Sequence, residues 1–369
     1  MNKCIFAPLI DFFLMVYNFN AGPSIMPKAV FDEAASAVQQ FQDTGLSLLE
    51  IGHRTPLFSD VMEEARSRVR TLMQLDDAHE VLFLHGGAST QFMQVPMNLL
   101  DAKESAAYAD TGVWSAKAIN EARLFGKVDV VCSSKEQGYR HIPTDFAVPN
   151  EARYFHITTN NTVFGTQWKK IPKTSNPLVA DMSSDIFSRR LPFNDFALIY
   201  AGAQKNLGPA GVTLVVVQKD LLGKNRRPIP TMMDYRNHIT AKSMLNTPPV
   251  FAVYVCLLML RWLEKEGGIE EMERRSMQKA QRLYDAIDRS HLFDAPVRKG
   301  DRSLMNVCFN AIDEQQAGLF LAYAQSQGIV GIKGHRLSGG FRASLYNALP
   351  MDSVDVLVQV LADFEQRIA

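Results

Sequence analysis

The segment FALIYAGAQKNLGPAGVTLVVV, residues 196–217, decides the architecture. Its flanks, FALIYAG (196–202) and GVTLVVV (211–217), are apolar throughout instead of alternating, as strands are when both faces are covered. Between them Gly208-Pro209 marks a tight turn. Lys205 is held there among small residues, an odd place for a solvated ammonium. Desolvation lowers the pKa of an amine and makes it a nucleophile able to form an imine. The competing reading is a lysine that runs its stem along the surface and keeps its head in water.

Similar apolar runs precede this segment: VLFL (81–84), SAAYA (105–109), VDVVC (128–132), ARYFHI (152–157) and PLVAD (177–181). From residue 28 to about 265 they alternate with amphipathic stretches, the signature of βαβ units. A helix is expected over 56–75, with Thr55 as its cap and Pro56 in its first turn. The apolar stretch 248–268 reads as a core helix, and a charged helix follows at 269–290. The pattern then changes to strand 303–309, helix 314–327, strand 341–346 and helix 354–368. The fold class expected is α/β: a large domain with a mostly parallel, buried, seven-stranded sheet flanked by helices, and a smaller C-terminal α+β domain. The boundaries expected are an N-terminal extension at 1–16, a large domain at 17–267 whose first residues reach toward the small domain, and the small domain at 268–369.

Composition narrows the function. Lys plus Arg and Asp plus Glu both total 39, so no net positive field exists to hold a nucleic acid. With 47% hydrophobic and 21% charged residues the chain reads as an ordinary soluble globule. Cys4, Cys132, Cys256 and Cys308 are scattered without zinc-ligand spacing, which suggests free thiols in a reducing, cytoplasmic setting and no metal. The opening MNKCIFAPLIDFFLMV is too short to span a bilayer and is interrupted by Asp11. It fits a signal peptide poorly, and Met15 offers an alternative start. Dinucleotide, P-loop, zincin and serine-hydrolase motifs are missing.

Three elements carry chemistry. HGGAST (85–90) joins a strand to a helix through two glycines, so unpaired N–H groups are offered to an anion such as phosphate; an ordinary βα turn would look the same. Asp181 ends an apolar strand, where ligands gather in open α/β sheets, although a capping role fits a lone aspartate equally. Lys205 is the third. Together, in this order, they are the parts needed to hold pyridoxal phosphate, with the aspartate keeping the pyridine nitrogen protonated. At about 3 Å and an effective dielectric near 20 that pair is worth roughly 5 kcal/mol before desolvation. Trp114, after another strand, can stack on the ring or simply fill a core. His53-Arg54, His335-Arg336 and Arg342 lie beside glycines and point to an anionic substrate, unless they are surface ion pairs.

These strings in combination resemble the phosphoserine aminotransferase family, class V, fold-type I pyridoxal 5'-phosphate enzymes. The resemblance rests on NFNAGPS (18–24), GHRTP (52–56), HGGASTQF (85–92), TGVWS (111–115), TTNNTVFGTQ (158–167), ADMSSDI (180–186), AGAQKNLGPAG (201–211), MLNTPPVF (244–251) and GHRLSGGFRASLYNALP (334–350). It implies Lys205 as the Schiff-base lysine, Asp181 as partner of the pyridine nitrogen, Trp114 as stacking ring and Thr162 as a donor near the cofactor oxygen. Ala88, Ser89, Ser183 and Gln204 are implied at the phosphate, with Asn246 and Thr247 reaching the neighbouring subunit's cofactor in a homodimer with shared sites. Arg342 is implied at the substrate α-carboxylate, and His53, Arg54, His335 and Arg336 around the distal anion. The reaction implied is reversible amino transfer between L-glutamate and 3-phosphohydroxypyruvate in serine synthesis, with a side activity on the phosphorylated keto acid of pyridoxine synthesis. One departure is Ser89, where some members carry an arginine; this leaves the distal anion resting more on Arg54, His335 and Arg336. An alanine–glyoxylate type aminotransferase, a desulfurase or a non-catalytic cofactor-binding protein of the same fold are the alternatives.

Overall fold

All seven strands read between residues 81 and 217 enter one sheet. The structure, a computed structural model, describes residues 15–368, so most of the 1–16 extension lies outside the described residues. In chain order the strands are β1 (Tyr17–Asn18), β2 (His79–Leu84), β3 (Ser105–Asp110), β4 (Lys127–Ser133), β5 (Phe155–Thr158) and β6 (Leu178–Asp181). They continue with β7 (Phe196–Gly202), β8 (Thr213–Gln218), β9 (Phe293–Asp294), β10 (Asn306–Ala311), β11 (Ile329–Val330) and β12 (Phe341–Ser344). The helices are α1 (Lys28–Gln39), α2 (Pro56–Met73), α3 (Gly87–Leu99), α4 (Val113–Ala122) and α5 (Tyr235–Thr240). Then come α6 (Val250–Lys265), α7 (Gly268–Arg289), α8 (Glu314–Ser326) and α9 (Met351–Ile368).

The large sheet runs β2-β8-β7-β6-β5-β3-β4. Pairing is parallel from β7 through β4, and only β8 runs antiparallel to both its neighbours. Alternate residues of one strand feed different cores, as a period of two requires. Val81 and Phe83 pack with Met62 and Val69 of α2 and Leu257 of α6, whereas Leu82 and Leu84 join Phe92 and Val95 of α3 and Ile119 of α4. Full burial expected for the whole sheet fails at β4, an edge strand where Val130 is 40% exposed. The opposite edge strand, β2, is buried, so it is the sparse cover over the faces of β4, and not its edge position alone, that leaves its apolar run exposed.

Two boundaries also differ from expectation, and one helix is additional. The strand expected at 152–157 is regular only over Phe155–Thr158. That expected from 303 begins at Asn306, because the Ser303 hydroxyl accepts the N–H groups of Met305 and Asn306 and turns the chain first. Helix α1 was not anticipated; its buried face is Val30, Ala34 and Ala37, mostly too small for a strong apolar stripe.

A third core gathers α7, α8 and α9 on the antiparallel sheet β12-β10-β9. The start of the chain returns to it: β1 pairs with β11, and Phe19 is fully buried in that core. Between this core and those of the large sheet runs a buried polar seam. Asn160 donates to the Asn306 side-chain oxygen at 2.8 Å, Asn347 N–H donates to Asn206 Oδ1 at 3.0 Å, and Tyr346 Oη donates to the Ala21 carbonyl at 2.9 Å. Lys279, 2% exposed, donates Nζ to the carbonyls of Tyr346 at 2.7 Å and Leu349 at 3.1 Å. Burial, and secondarily the charge of Arg275, pushes its amine down to about 7.

Replacing Lys279 with Met leaves both carbonyls without their donor. It should lower stability by about 2–4 kcal/mol, read from the urea midpoint. The sign with pH follows from linkage: between about 7 and 10.5 the unfolded chain binds more protons at this site than the folded one. Wild type should therefore gain stability relative to Lys279→Met as pH rises through that window; parallel curves would refute the assignment.

Candidate active site

The parallel strands deliver their carboxyl ends to one rim, where open α/β sheets collect ligands. Leu84 leads into Gly86-Gly87, Asp110 into Trp114, Thr158 into Asn160 and Thr162, Asp181 into Ser183, and Gly202 into Lys205. Strand β8 runs the other way, so its start, after Gly211 and Val212, reaches the same rim. A cavity of about 200 Å³ results, lined by Ala88, Ser89, Trp114, Thr162, Asp181, Ser183, Gln204 and Lys205 among others. Eight residues singled out in the sequence thus meet in one place.

At its centre stand an ammonium and a carboxylate. Lys205 Nζ donates to Thr162 Oγ1 at 2.7 Å and lies 5.9 Å from the centroid of the Trp114 ring. Burial pushes its amine down to about 8, with Asp181 opposing and Arg342 adding to the fall. Asp181 is 4% exposed, and burial raises its carboxyl above the usual range. Hydrogen bonds from Ser183 and the charge of Lys205 pull the other way. Ser183 N–H donates to Asp181 Oδ1 at 2.9 Å, and its hydroxyl donates to the same oxygen at 2.6 Å while accepting Gly202 N–H at 3.0 Å. The Ser183 hydroxyl thus holds the carboxylate, and the residue lines the cavity as well.

At the other end of the cavity α3 begins with Ala88 and Ser89 in its first turn. Gly86 has φ +92°, and a Cβ there would meet Thr90 Oγ1 at 1.9 Å, so the turn demands glycine. The first N–H groups of the helix have no carbonyl behind them and face an anion site. Trp114 Nε1 and Thr158 Oγ1 are buried without a partner. Arg342, on β12, donates Nη1 to the Thr162 carbonyl at 3.2 Å, and its Nε is buried and unpartnered. His335 is held below its usual value by burial, then by Arg342, Arg336 and Lys117.

Seven expected residues are absent from the lining of this cavity: Arg342 meets its edge at Thr162, with His335 and Arg336 near that arginine, and the other four lie elsewhere. His53 and Arg54 contact each other at 3.4 Å in the turn before α2. Asn246 and Thr247 lie beside His85, whose Nε2 is 3.1 Å from the Thr247 carbonyl. Conversely, Thr158, Asn160 and Ser184 line the cavity and were not singled out. The run TTNNT after a strand was the available signal for the first two; Ser184 offered none beyond adjacency to Ser183.

The charges predict a titration. The rate at which the protein forms an imine with a small probe aldehyde should rise with pH through an inflection near 8, as Lys205 loses its proton. Arg342→Ala should move the inflection up and Asp181→Asn should move it down, measured by imine absorbance.

The sequence matches the aminotransferase class-V family over residues 16–357. It is 51% identical over 353 residues to the phosphoserine aminotransferase of Flavobacterium psychrophilum, covering 95% of this chain and 99% of that one. Among solved structures it is similar to phosphoserine aminotransferase from Bacillus circulans subsp. alkalophilus, at 41% identity and a TM-score of 0.94, covering 96% of this chain and 99% of that one. It is also similar to the PLP-bound phosphoserine aminotransferase of Trichomonas vaginalis, at 34% identity and a TM-score of 0.89, covering 94% of this chain and 100% of that one. The desolvated lysine, its facing acid and the glycine turn stand in a chain that belongs to the class-V aminotransferases and, within them, to the phosphoserine aminotransferases.

Proposed function

We propose that this chain is a pyridoxal-phosphate-dependent aminotransferase that moves an amino group reversibly between L-glutamate and 3-phosphohydroxypyruvate, giving O-phospho-L-serine and 2-oxoglutarate. The observation that carries this is Lys205 Nζ and Asp181 lining one buried cavity beneath the glycine-led start of α3. The residues fit the cofactor: two buried polar atoms, Trp114 Nε1 and Thr158 Oγ1, lack partners there, and the helix start offers N–H groups to a phosphate. When bound, pyridoxal phosphate supplies an aldehyde that an amine can join reversibly and a ring that accepts electrons.

The protein does the rest. Lys205, its amine lowered toward neutral pH, would hold the cofactor and would carry a proton to and from the substrate α-carbon as general base and acid. Asp181, held by two bonds from Ser183, stabilises the protonated ring nitrogen. Trp114 offers its face to the ring, Thr162 a hydroxyl to the ring oxygen, and Gln204, Ala88 and Ser89 line the phosphate end. Arg342, with a spare buried N–H, binds the α-carboxylate common to both substrates.

His53, Arg54, Asn246 and Thr247 serve the site of a second copy in a homodimer, a reading supported by their position away from their own chain's cavity. The setting proposed is the cytoplasm, supported by three buried free thiols at Cys132, Cys256 and Cys308. Among the described residues no helix is long and apolar enough to cross a membrane.

With 2-oxoglutarate as acceptor, O-phosphoserine should react far faster than serine or alanine in a coupled assay; equal rates would remove the phosphate from the reading. Lys205→Ala should abolish the absorbance of the bound cofactor and cut kcat roughly a thousandfold or more. Wild type that stays colourless with added cofactor would favour a non-catalytic protein of this fold. Co-expressing Lys205→Ala with Arg54→Ala, each inactive alone, should restore about a quarter of the activity, because half the dimers then hold one intact site. No recovery would mean that each site is built from one chain.

A further inference from the structure

The mouth of the cavity gathers positive charge from three directions. Arg342 comes from β12, and His335 and Arg336 come from the hairpin tip before it, closed by a bond from Gly334 N–H to the Gly340 carbonyl at 2.9 Å. Lys117 comes from α4, one turn beyond Trp114. Its Nζ lies 4.5 Å from the centroid of the same indole that Lys205 approaches to 5.9 Å. The groups that set the field at His335 are Arg342, Arg336 and Lys117, and no carboxylate is among them. Cations crowded together repel one another, and such a cluster is relieved when an anion enters. Lys117 is exposed, so its ammonium is free to meet a ligand arriving over Trp114.

We propose that Lys117 is a specificity-determining residue: lying against Trp114, its ammonium joins His335 and Arg336 in receiving the distal phosphate of the substrate and favours that dianion over the singly charged γ-carboxylate of glutamate. This rests on the reading above that one amino donor carries a phosphate. Doubling the ligand's charge doubles its attraction to each cation, so removing one cation penalises the phosphate more than the carboxylate. Placed on the helix that also carries Trp114, Lys117 ties discrimination to the ring that stacks on the cofactor.

The test uses the cofactor-loaded enzyme and Lys117→Met, which keeps the apolar stem over the indole. KM for O-phosphoserine should rise about tenfold while that for glutamate changes no more than about twofold. Inorganic phosphate, titrated by quenching of tryptophan fluorescence, should bind about tenfold more weakly, and the dependence of its affinity on salt should flatten. Lys117→Arg should retain both properties. If wild type prefers O-phosphoserine to serine and Lys117→Met keeps the full preference and phosphate affinity, Lys117 merely covers Trp114 and the inference fails. If wild type shows no such preference, the proposed function fails first.

Discussion

The structure turns on two opposite charges withdrawn from water into one cavity, each tolerated because the other is near. Burial alone would neutralise both Lys205 and Asp181. The carboxylate draws the amine back toward its charged form, and the ammonium does the same for the acid. The compromise leaves an amine with a pKa near 8, close enough to neutrality to act both as nucleophile and as proton carrier. Ser183 is the hinge of this balance, because it satisfies the acid without adding charge.

The rest of the fold supplies rigidity to that pair. Asp181 ends β6 opposite Tyr200 of the adjacent parallel strand β7, and Lys205 follows three residues beyond the end of β7, so the ladder fixes the acid and the start of the turn that carries the amine. Lys205 sits in the connection between β7 and β8, an antiparallel pair, and the chain returns at once into the core. Its backbone is pinned at both ends: Lys205 N–H reaches the Ala203 carbonyl and the Lys205 carbonyl accepts the Ser24 hydroxyl.

Much of this was legible in the sequence. Uninterrupted apolar runs give buried strands, and a polar residue at or just past the end of such a run falls on the sheet rim; Asp181 and Lys205 were readable on that basis, whereas Thr162 came from the resemblance. The resemblance supplied Ser183, Gln204, Ala88 and Ser89 more than any spacing did. What stayed hidden depends on contacts between distant segments. Asn206 looks like a turn residue until it meets Asn347, 141 positions later, and Lys279 looks like one more charge on an amphipathic helix until two carbonyls are found at its tip. The exposure of β4 was hidden for the same reason, because a strand's place in the sheet order is not written in its own residues.

The seam between the cores has a consequence for how the molecule comes apart. The apolar packing of the large sheet and the separate cluster on the small one would ordinarily open independently. Here Asn206, Asn306 and Asn347 are each buried and hydrogen-bonded across the boundary, so loosening either side breaks bonds made by amides of the other. The two sides are coupled into a single cooperative unit, and slow amide exchange should extend through both of them instead of stopping at the join.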